Sequence, residues 1–512
     1  MDVFIGVDIG TSGTKSIAID STGRILAEST ASYPLYQPKP LWSEQDPNDW
    51  WKATVQTIQD VIKTANLKAS DAKAIGLSGQ MHGAVFLDAK CNVIRPAILW
   101  NDQRTTKECL DIEAAAGSRS ELIKQVANPA LTGFTAPKIL WLRNNEPFNF
   151  AKIAKVLLPK DEIRRRLTGE FATDVSDASG MLLFDVANRT WSKTLLAKLD
   201  LPETWFAKAY ESHEVTGKLT AEAASLLGLT TDCVVVAGAG DCAAGAIGNG
   251  IVAEGLVSTS IGSSGVVFAH SNEFAVDPSG RLHTFCHAVK GKWHLMGVNL
   301  ASGACLQWFR NNLCLTDDSS IYAKLTEEAN AIASGSAGLF FLPYLSGERT
   351  PYADPNARGC FIGLTLSHGR GHLVRAIMEG VTYSLNDSLA IMHELKIPVA
   401  EIRASGGGAK SDLWRQIQAD IFNKEVSLLT AEHGAAYGVA LLAAVGNGTF
   451  ASVEEACEAT ISIRGRSKPN NSATRYYQQT LPIYQRLYQS LKDNFKQIAA
   501  LENLAQEPAF TT

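Results

Sequence analysis

The chain has 512 residues, 46% of them hydrophobic and 19% charged, with a formal net charge of −5. That length is too great for one ordinary core and predicts two large domains. The mildly acidic balance leaves no basic footprint for nucleic acid. With no uncharged run of about 18 residues and no charged-then-apolar leader, neither membrane insertion nor secretion is expected, and the cytoplasm is the expected compartment.

The first residues alternate β-rich apolar runs with turn glycines: VFIGVDIG from Val3, KSIAID from Lys15 and GRILAE from Gly23 predict hairpin strands. The stretch DIGTSGTK, from Asp8 to Lys15, joins the first two. It is not a P-loop, which needs lysine directly after the last glycine, because Thr14 separates Gly13 from Lys15. Gly10 and Gly13 are the only correctly spaced pair, so a dinucleotide fingerprint fails too. What remains is Gly10, Thr11 and Ser12, whose N–H and hydroxyl groups suit an anion, with Lys15 near and Asp8 at the strand end. An acid beside a phosphate cradle repels the phosphate unless a cation lies between, which makes Asp8 a candidate Mg²⁺ ligand. The alternative is a carboxylate that only caps the turn. Lys15 is a phosphate donor or a solvated hairpin lysine.

Helical apolar spacing over 49–67 and a buried strand in KAIGLSG from Lys73 continue the alternation, so the class is α/β. Near residue 230 the pattern starts again. CVVVAGAG from Cys233 is a buried strand, DCAAGAIGNG from Asp241 opens a small-residue helix, and LVSTSIGSSGVVFA from Leu256 is strand, loop, strand. Its SIGSSG echoes DIGTSG about half a chain away, making Gly262, Ser263 and Ser264 a second phosphate hairpin. Asp241 stands where a strand ends and a helix begins, so the helix N-terminus favours its ionised form. It is an N-cap or, with room left by the glycines and alanines around it, the acid that takes the proton of an attacking hydroxyl. Phosphoryl transfer needs such an acceptor, a bridging cation and positioning donors.

Further on, IRASGGGAKSDLWRQIQADIF from Ile402 predicts a strand, a triple-glycine turn and a helix with Leu413, Ile417 and Ile421 on its apolar side. Gly407, Gly408 and Lys410 make it a third nucleotide-like turn. From Tyr476, the spacing of Tyr484, Leu487, Leu491, Phe495 and Ile498 predicts an amphipathic helix, followed by a frayed tail over 501–512. Nine scattered cysteines, never spaced C-x-x-C, suit reduced thiols. His283, Cys286 and His287 in HTFCH lack the nearby fourth ligand of a closed zinc site.

DIGTSGTK, GAGDCAAGAIG, SIGSSG and SGGGAKSDLW, in this order, resemble the FGGY family of carbohydrate kinases. GFTAPKILWLRNN from Gly133 and GCFIGLTLSHGRGHLVRAIME from Gly359 match that family's two diagnostic stretches. The resemblance implies two actin-like (ribonuclease H-like) ATPase domains around a central cleft. Residues 1–248 would carry the sugar side and first hairpin, and 249–500 the ATP side. It implies ATP and Mg²⁺ as cofactors, with Gly10, Thr11, Ser12, Gly262, Ser263 and Ser264 on the phosphates and the glycines of SGGGAKS against the adenosine. PLWSEQDPNDWW from Pro40, LSGQMHGAVFLD from Leu77, ILWNDQR from Ile98, LLPKDEIRRRLTGEFATDVSDASG from Leu157 and FLPYLSGERTP from Phe341 are most similar to members that phosphorylate D-xylulose to D-xylulose 5-phosphate. On that likeness Met81 and His82 contact the sugar, Asp241 is the base on its terminal hydroxyl, and Asp8 supports Mg²⁺ and the transferring phosphoryl group.

Read from the residues alone, His82 is a lone histidine beside an apolar run, a setting more often structural than ligand-binding. Trp100, Asp102 and Arg104 offer a sugar a stacking face, an acceptor and a fork of donors, or they are a local surface pair. Cys242 stands where the family often has Asn, and Ser263 where it usually has Thr. A thiol is the weaker hydrogen-bond partner, which leaves the ketose open. Ribulose, glycerol or a related polyol is the alternative substrate, and an actin-like ATPase switch the alternative from another class. A homodimer is the assembly kept open.

Overall fold

The computed structural model describes residues 1–314, 318, 320–430 and 434–505. The chain divides into two compact units that are each discontinuous in sequence. The first takes in Met1–Ala253, His270–His294 and the described part of Ala431–Ser462; the second takes in Glu254–Ala269, Leu295–Thr430 and the described part of Ile463–Thr512.

In the first unit a twisted sheet runs in the order Val215–Lys218, Val234–Val236, Ala72–Gly79, Val3–Ile9, Gly13–Asp20, Ile25–Ser32. Val3–Ile9 pairs antiparallel with Gly13–Asp20, as the hairpin pattern predicts, and parallel with Ala72–Gly79. The parallel partner follows a crossover helix, Pro47–Thr64, whose start is set by Asp46 accepting from Asn48 N at 2.9 Å and by proline in its first turn. The short Ala239–Gly240 strand also pairs with Ala72–Gly79, opposite Ser78 and Gly79.

Strand periodicity decides which residues share a face. Ile5, Val7 and Ile9 pack with Trp50 and Ile58 on one side of the sheet. Phe4 looks the other way, into a core with Ala243, Ile247, Ala440 and Leu441, and Gly6 and Asp8 share its face. Two helices cover that face, Asp241–Gly248 and Gly434–Gly446. The second lies almost in contact with the strand backbones: a Cβ on Gly6 would sit 1.8 Å from the Ala436 carbonyl oxygen, and one on Gly76 1.9 Å from that of Val439. Only glycine permits so close an approach. The two helices cross equally tightly, with a Cβ on Gly438 falling 1.9 Å from the Ala244 carbonyl oxygen.

The second unit repeats the plan. Gly255–Ile261 and Gly265–Ser271 form an antiparallel hairpin in register from Val257↔Ala269 to Ile261↔Gly265, and Gly255–Ile261 pairs in parallel with Val399–Ser405. The SIGSSG echo of DIGTSG is therefore structural: each unit opens on a hairpin whose first strand has a parallel neighbour. The predicted helix after the triple glycine is Asp412–Phe422, with Ser411 accepting from Trp414 N at 3.2 Å as its cap. The C-terminal helix begins earlier than the apolar spacing predicts, at Asn471, and continues to Ala505, so 501–505 is helical where fraying is expected. The rest of the predicted frayed tail, 506–512, lies outside the described residues. No helix among the described residues is long and apolar enough to cross a membrane.

The buried helix Arg370–Glu394 carries an acid that makes stability depend on pH. Asp387 accepts from Gln485 Nε2 at 2.8 Å, but its Oδ2 has no donor among the described residues, and burial pushes its pKa up to about 7 against that one bond. The folded state thus holds this proton more tightly than the unfolded chain. Stability from this group is intact below the unfolded value of 3.8 and declines as pH rises towards about 7. The full effect is bounded at about 4 kcal/mol. Asp387→Asn is therefore expected to gain about 1–2 kcal/mol on wild type between pH 5.5 and pH 8, measured by urea unfolding at both. A difference that does not change with pH would show the carboxyl to be ionised throughout.

Candidate active site

Two carboxylates meet on the glycine face of the first unit. Asp8 stands one residue before the end of its strand, opposite Ser78, and Asp241 follows Gly240, which pairs beside Gly79 on the same central strand. Burial, the largest influence, raises Asp8 above the usual carboxylate range, while the Ser78 hydroxyl and the Lys15 ammonium pull the other way. Its Oδ1 is buried without a hydrogen-bond donor among the described residues. Burial first, and the charge of Asp8 second, push Asp241 up to about 7, opposed by hydrogen bonds from the Cys242 thiol and backbone N–H. The charge of Asp8 thus makes Asp241 resist ionisation, an arrangement that invites a proton or a cation.

The loop between the first two strands is held from outside. Gly10 O accepts from Tyr33 OH at 2.5 Å, and Thr11 O accepts from Gln45 Nε2 at 2.7 Å. Gln45 in turn is fixed by Gln80 Nε2 at 2.9 Å and Trp50 Nε1 at 3.0 Å. Trp100, 42% exposed, donates its indole N–H to Thr11 Oγ1 at 2.9 Å. With that lone pair occupied, the Thr11 hydroxyl has its single proton to offer, and among the described residues it reaches Gln80 Oε1 at a long 3.4 Å. Lys15 pairs with Glu28 at 2.8 Å while remaining 40% exposed.

Met81 and His82 join the acids. Met81 is buried against Gly240, where a Cβ would fall 2.9 Å from its Cγ. His82 has φ 68°, in the left-handed region that a non-glycine residue enters only when held there. Its Nδ1 lies 2.6 Å from the Gly180 carbonyl, its ring meets Phe134 edge-on at 4.7 Å, and its own carbonyl accepts from Thr135 Oγ1 at 3.1 Å and Lys138 Nζ at 2.7 Å. GFTAPKILW therefore clamps the histidine backbone. Lys138 is wholly buried, which lowers its pKa well below the ordinary lysine value, and nothing in a helical spacing distinguishes such a lysine from a solvated one.

Asp102 and Arg104 are placed differently from Trp100. Asp102 accepts from Ser43 N at 2.7 Å and pairs with Arg104 at 2.6 Å; Arg104 also reaches Glu44 at 2.8 Å and stacks over Trp42 at 3.6 Å. Both side chains are buried and their polar atoms are committed to each other and to the 42–45 segment, so they are not a surface pair. In HTFCH, His283 pairs with Asn128 at 3.0 Å and His287 with the Ile251 carbonyl at 3.0 Å. No group of three or more His, Cys, Asp or Glu suited to a metal occurs among the described residues.

The second unit brings its own predicted residues together around a cavity of about 870 Å³, walled by Gly262, Ser263, Gly407, Gly408 and Lys410. Ser264 is not on that wall. The glycine turn lies on the hairpin because Gly406, at φ 76°, and Gly408 leave no side chain to strike Ile261: a Cβ on Gly408 would fall 2.6 Å from that residue's own Cβ. The hairpin carbonyls are held by the next helix, Gly262 O accepting from Gly303 N at 2.7 Å and Ser263 O from Ser302 N at 2.8 Å. Gln307, Glu327 and Asn330 also line the cavity, from helix faces that carry no motif.

Residues 3–248 match the N-terminal domain, and 257–446 the C-terminal domain, of the FGGY family of carbohydrate kinases. A xylulose kinase of Escherichia coli is 42% identical over 490 residues, spanning 96% of this chain and 99% of that one. The crystal structure of xylulose kinase from Rhodospirillum rubrum superposes with a TM-score of 0.91 at 31% identity, covering 96% of this chain and 100% of the other. A gluconate kinase from Lactobacillus acidophilus superposes equally well, with a TM-score of 0.91 at 28% identity and 97% and 99% coverage. The paired acids, the two hairpins and this end-to-end similarity lead to one conclusion: the chain belongs to the FGGY family of carbohydrate kinases.

Proposed function

We propose that this carbohydrate kinase transfers the γ-phosphoryl group of ATP to the terminal hydroxyl of D-xylulose, giving D-xylulose 5-phosphate and ADP. The observation that carries the chemistry is the Asp8–Asp241 pair. With a pKa near 7, Asp241 is partly ionised at neutral pH, where a general base is most effective. It takes the proton of the sugar hydroxyl as that oxygen bonds to the γ-phosphorus and the bond from phosphorus to the departing ADP oxygen breaks. Met81 and His82 orient the sugar, with Trp100 as a stacking face.

Asp8 suits Mg²⁺, because a buried carboxylate oxygen lacking a donor gains from a cation, and Mg²⁺ commonly takes only one or two carboxylates, with phosphate oxygens and water completing its shell. When bound, it would neutralise phosphate charge that the two acids otherwise repel. Gly10, Thr11 and Ser12 of the first hairpin and Gly262, Ser263 and Ser264 of the second are assigned to the phosphates, with Lys15 adding positive charge. Gly407, Gly408 and Lys410 are assigned to the nucleoside. On this reading residues 1–248 supply the sugar side and 249–500 the nucleotide side, and the enzyme works in the cytoplasm.

The choice of sugar is supported by full-length relatives named xylulose kinase. One observation favours a different sugar: the Cys242 thiol is spent on Asp241, which leaves little for a sugar hydroxyl at that position. Purified protein is expected to prefer D-xylulose over ribulose, glycerol and gluconate by about tenfold or more in kcat/KM, equivalent to about 1.4 kcal/mol. A tenfold preference for another of these would replace the sugar and leave the kinase. ADP release independent of every sugar would overturn the kinase reading itself.

A further inference from the structure

The turn that presents Asp241 has almost no side chains with which to hold itself. It reads Gly238, Ala239, Gly240, and it needs those residues: a Cβ on Gly238 would fall 1.9 Å from the Leu77 carbonyl oxygen, and one on Gly240 would strike Met81. A carboxylate mounted on such a turn is only as well placed as the backbone beneath it, so the backbone must be gripped by other residues.

The grip comes from the charged helix Pro159–Thr168. Arg164, fully buried, donates to the carbonyls of Val236, at 2.6 Å, and Ala237. Lys160, four residues earlier and equally buried, lies 2.8 Å from Asp174 Oδ1. Asp174 Oδ2 accepts the Ser176 hydroxyl proton at 2.5 Å and the Ser176 N–H at 2.7 Å. With its one proton committed to Asp174, the Ser176 oxygen faces outward as an acceptor, and it receives Gly240 N–H at 3.1 Å. Gly240 is the residue immediately before Asp241. Lys160, Asp174 and Ser176 are all buried, in a low-dielectric setting that strengthens each of these contacts.

We propose that Ser176, oriented by Asp174 and Lys160, is a positioning residue for phosphoryl transfer, fixing the peptide from which Asp241 reaches the sugar hydroxyl. The inference rests on the base role proposed for Asp241. It gives Lys160, Arg164, Asp174 and Ser176, none of which is assigned to a ligand, a part in placing Asp241.

The test uses the full-length protein with D-xylulose and MgATP, comparing Ser176→Ala and Ser176→Thr, alone and combined with Asp241→Asn. Ser176→Ala is expected to lower kcat about tenfold or more while both KM values move less than about threefold, because the lost contact places the base and binds nothing. Ser176→Thr keeps the acceptor and is expected to stay within about threefold of wild type. In the Asp241→Asn background, Ser176→Ala is expected to lower the residual turnover by less than about twofold, since there is no base left to misplace. If the threonine methyl is not accommodated, seen as a melting temperature below that of Ser176→Ala, the double-mutant comparison alone decides. The inference is overturned if Ser176→Ala keeps kcat within about threefold of wild type, or if it costs the same factor with and without Asp241→Asn. Should Asp241→Asn itself turn over like wild type, the base reading fails first, and that result is distinct from either of the others.

Discussion

Asp241→Asn is expected to lower kcat by at least about 10²-fold, with KM for sugar and for MgATP each within about threefold of wild type. That loss corresponds to about 2.7 kcal/mol of barrier. Asparagine has nearly the volume of the acid and still offers an oxygen to the Cys242 N–H, so the start of the helix is preserved, but its amide cannot accept the hydroxyl proton. The fold is expected to gain from the change. Asp241 has a raised pKa, so its ionised form is a burden above pH 7 that Asp8 makes heavier. A melting temperature at pH 8 equal to or above that of wild type, together with lost turnover, separates chemistry from stability. Turnover within about threefold of wild type would remove Asp241 from the base role.

Gly438→Ala is expected to be strongly destabilising in the first unit. Its Cβ would fall 1.9 Å from the Ala244 oxygen, 2.9 Å from that carbonyl carbon and 3.0 Å from Gly248 N. Every one of these is backbone of a helix, so no side chain can turn aside, and overpacking of this kind costs about 3 kcal/mol. Gly245 supplies the control. It lies in the facing helix with nothing of the described residues within 4 Å of its would-be Cβ, so Gly245→Ala is expected to leave stability unchanged or raise it by up to about 1 kcal/mol through helix propensity. Chemical denaturation of the two variants measures both. A loss below about 1 kcal/mol for Gly438→Ala would mean that the helices do not cross so closely. Because the facing helix begins at Asp241, turnover should fall along with stability.

The two hairpins, the crossover helix and the triple-glycine turn were legible because each is written locally, in alternation, capping residues and glycine spacing. Asp8 and Asp241 were legible for the same reason, as acids where a strand ends and where a helix begins. Their meeting on one face follows from the period of two in Phe4, Gly6 and Asp8. What was not legible is carried by contacts across hundreds of residues. GAAYGVALLAAVG is apolar all round and shows no preferred face, so nothing in it says that it returns to glycines 6 and 76. Charged residues within helical stretches were harder still. Lys138, Lys160 and Arg164 have the spacing of solvated side chains, yet all three are fully buried on carbonyls or carboxylates. Asp102 and Arg104 show the converse: donors and acceptors suited to a sugar that the fold spends on its own loop.

The return of Gly434–Gly446 to the first sheet also limits how the molecule can be dissected. A fragment ending near residue 253 would contain every strand of that sheet and both acids, yet it would lack the helix that covers Phe4, Ile17 and Ala74. A fragment beginning there would carry that helix with no sheet to receive it. The units are therefore interdependent products of one continuous chain: no single cut yields either of them whole, and a gene fusion or split-protein design would have to break the chain on both sides of 434–446.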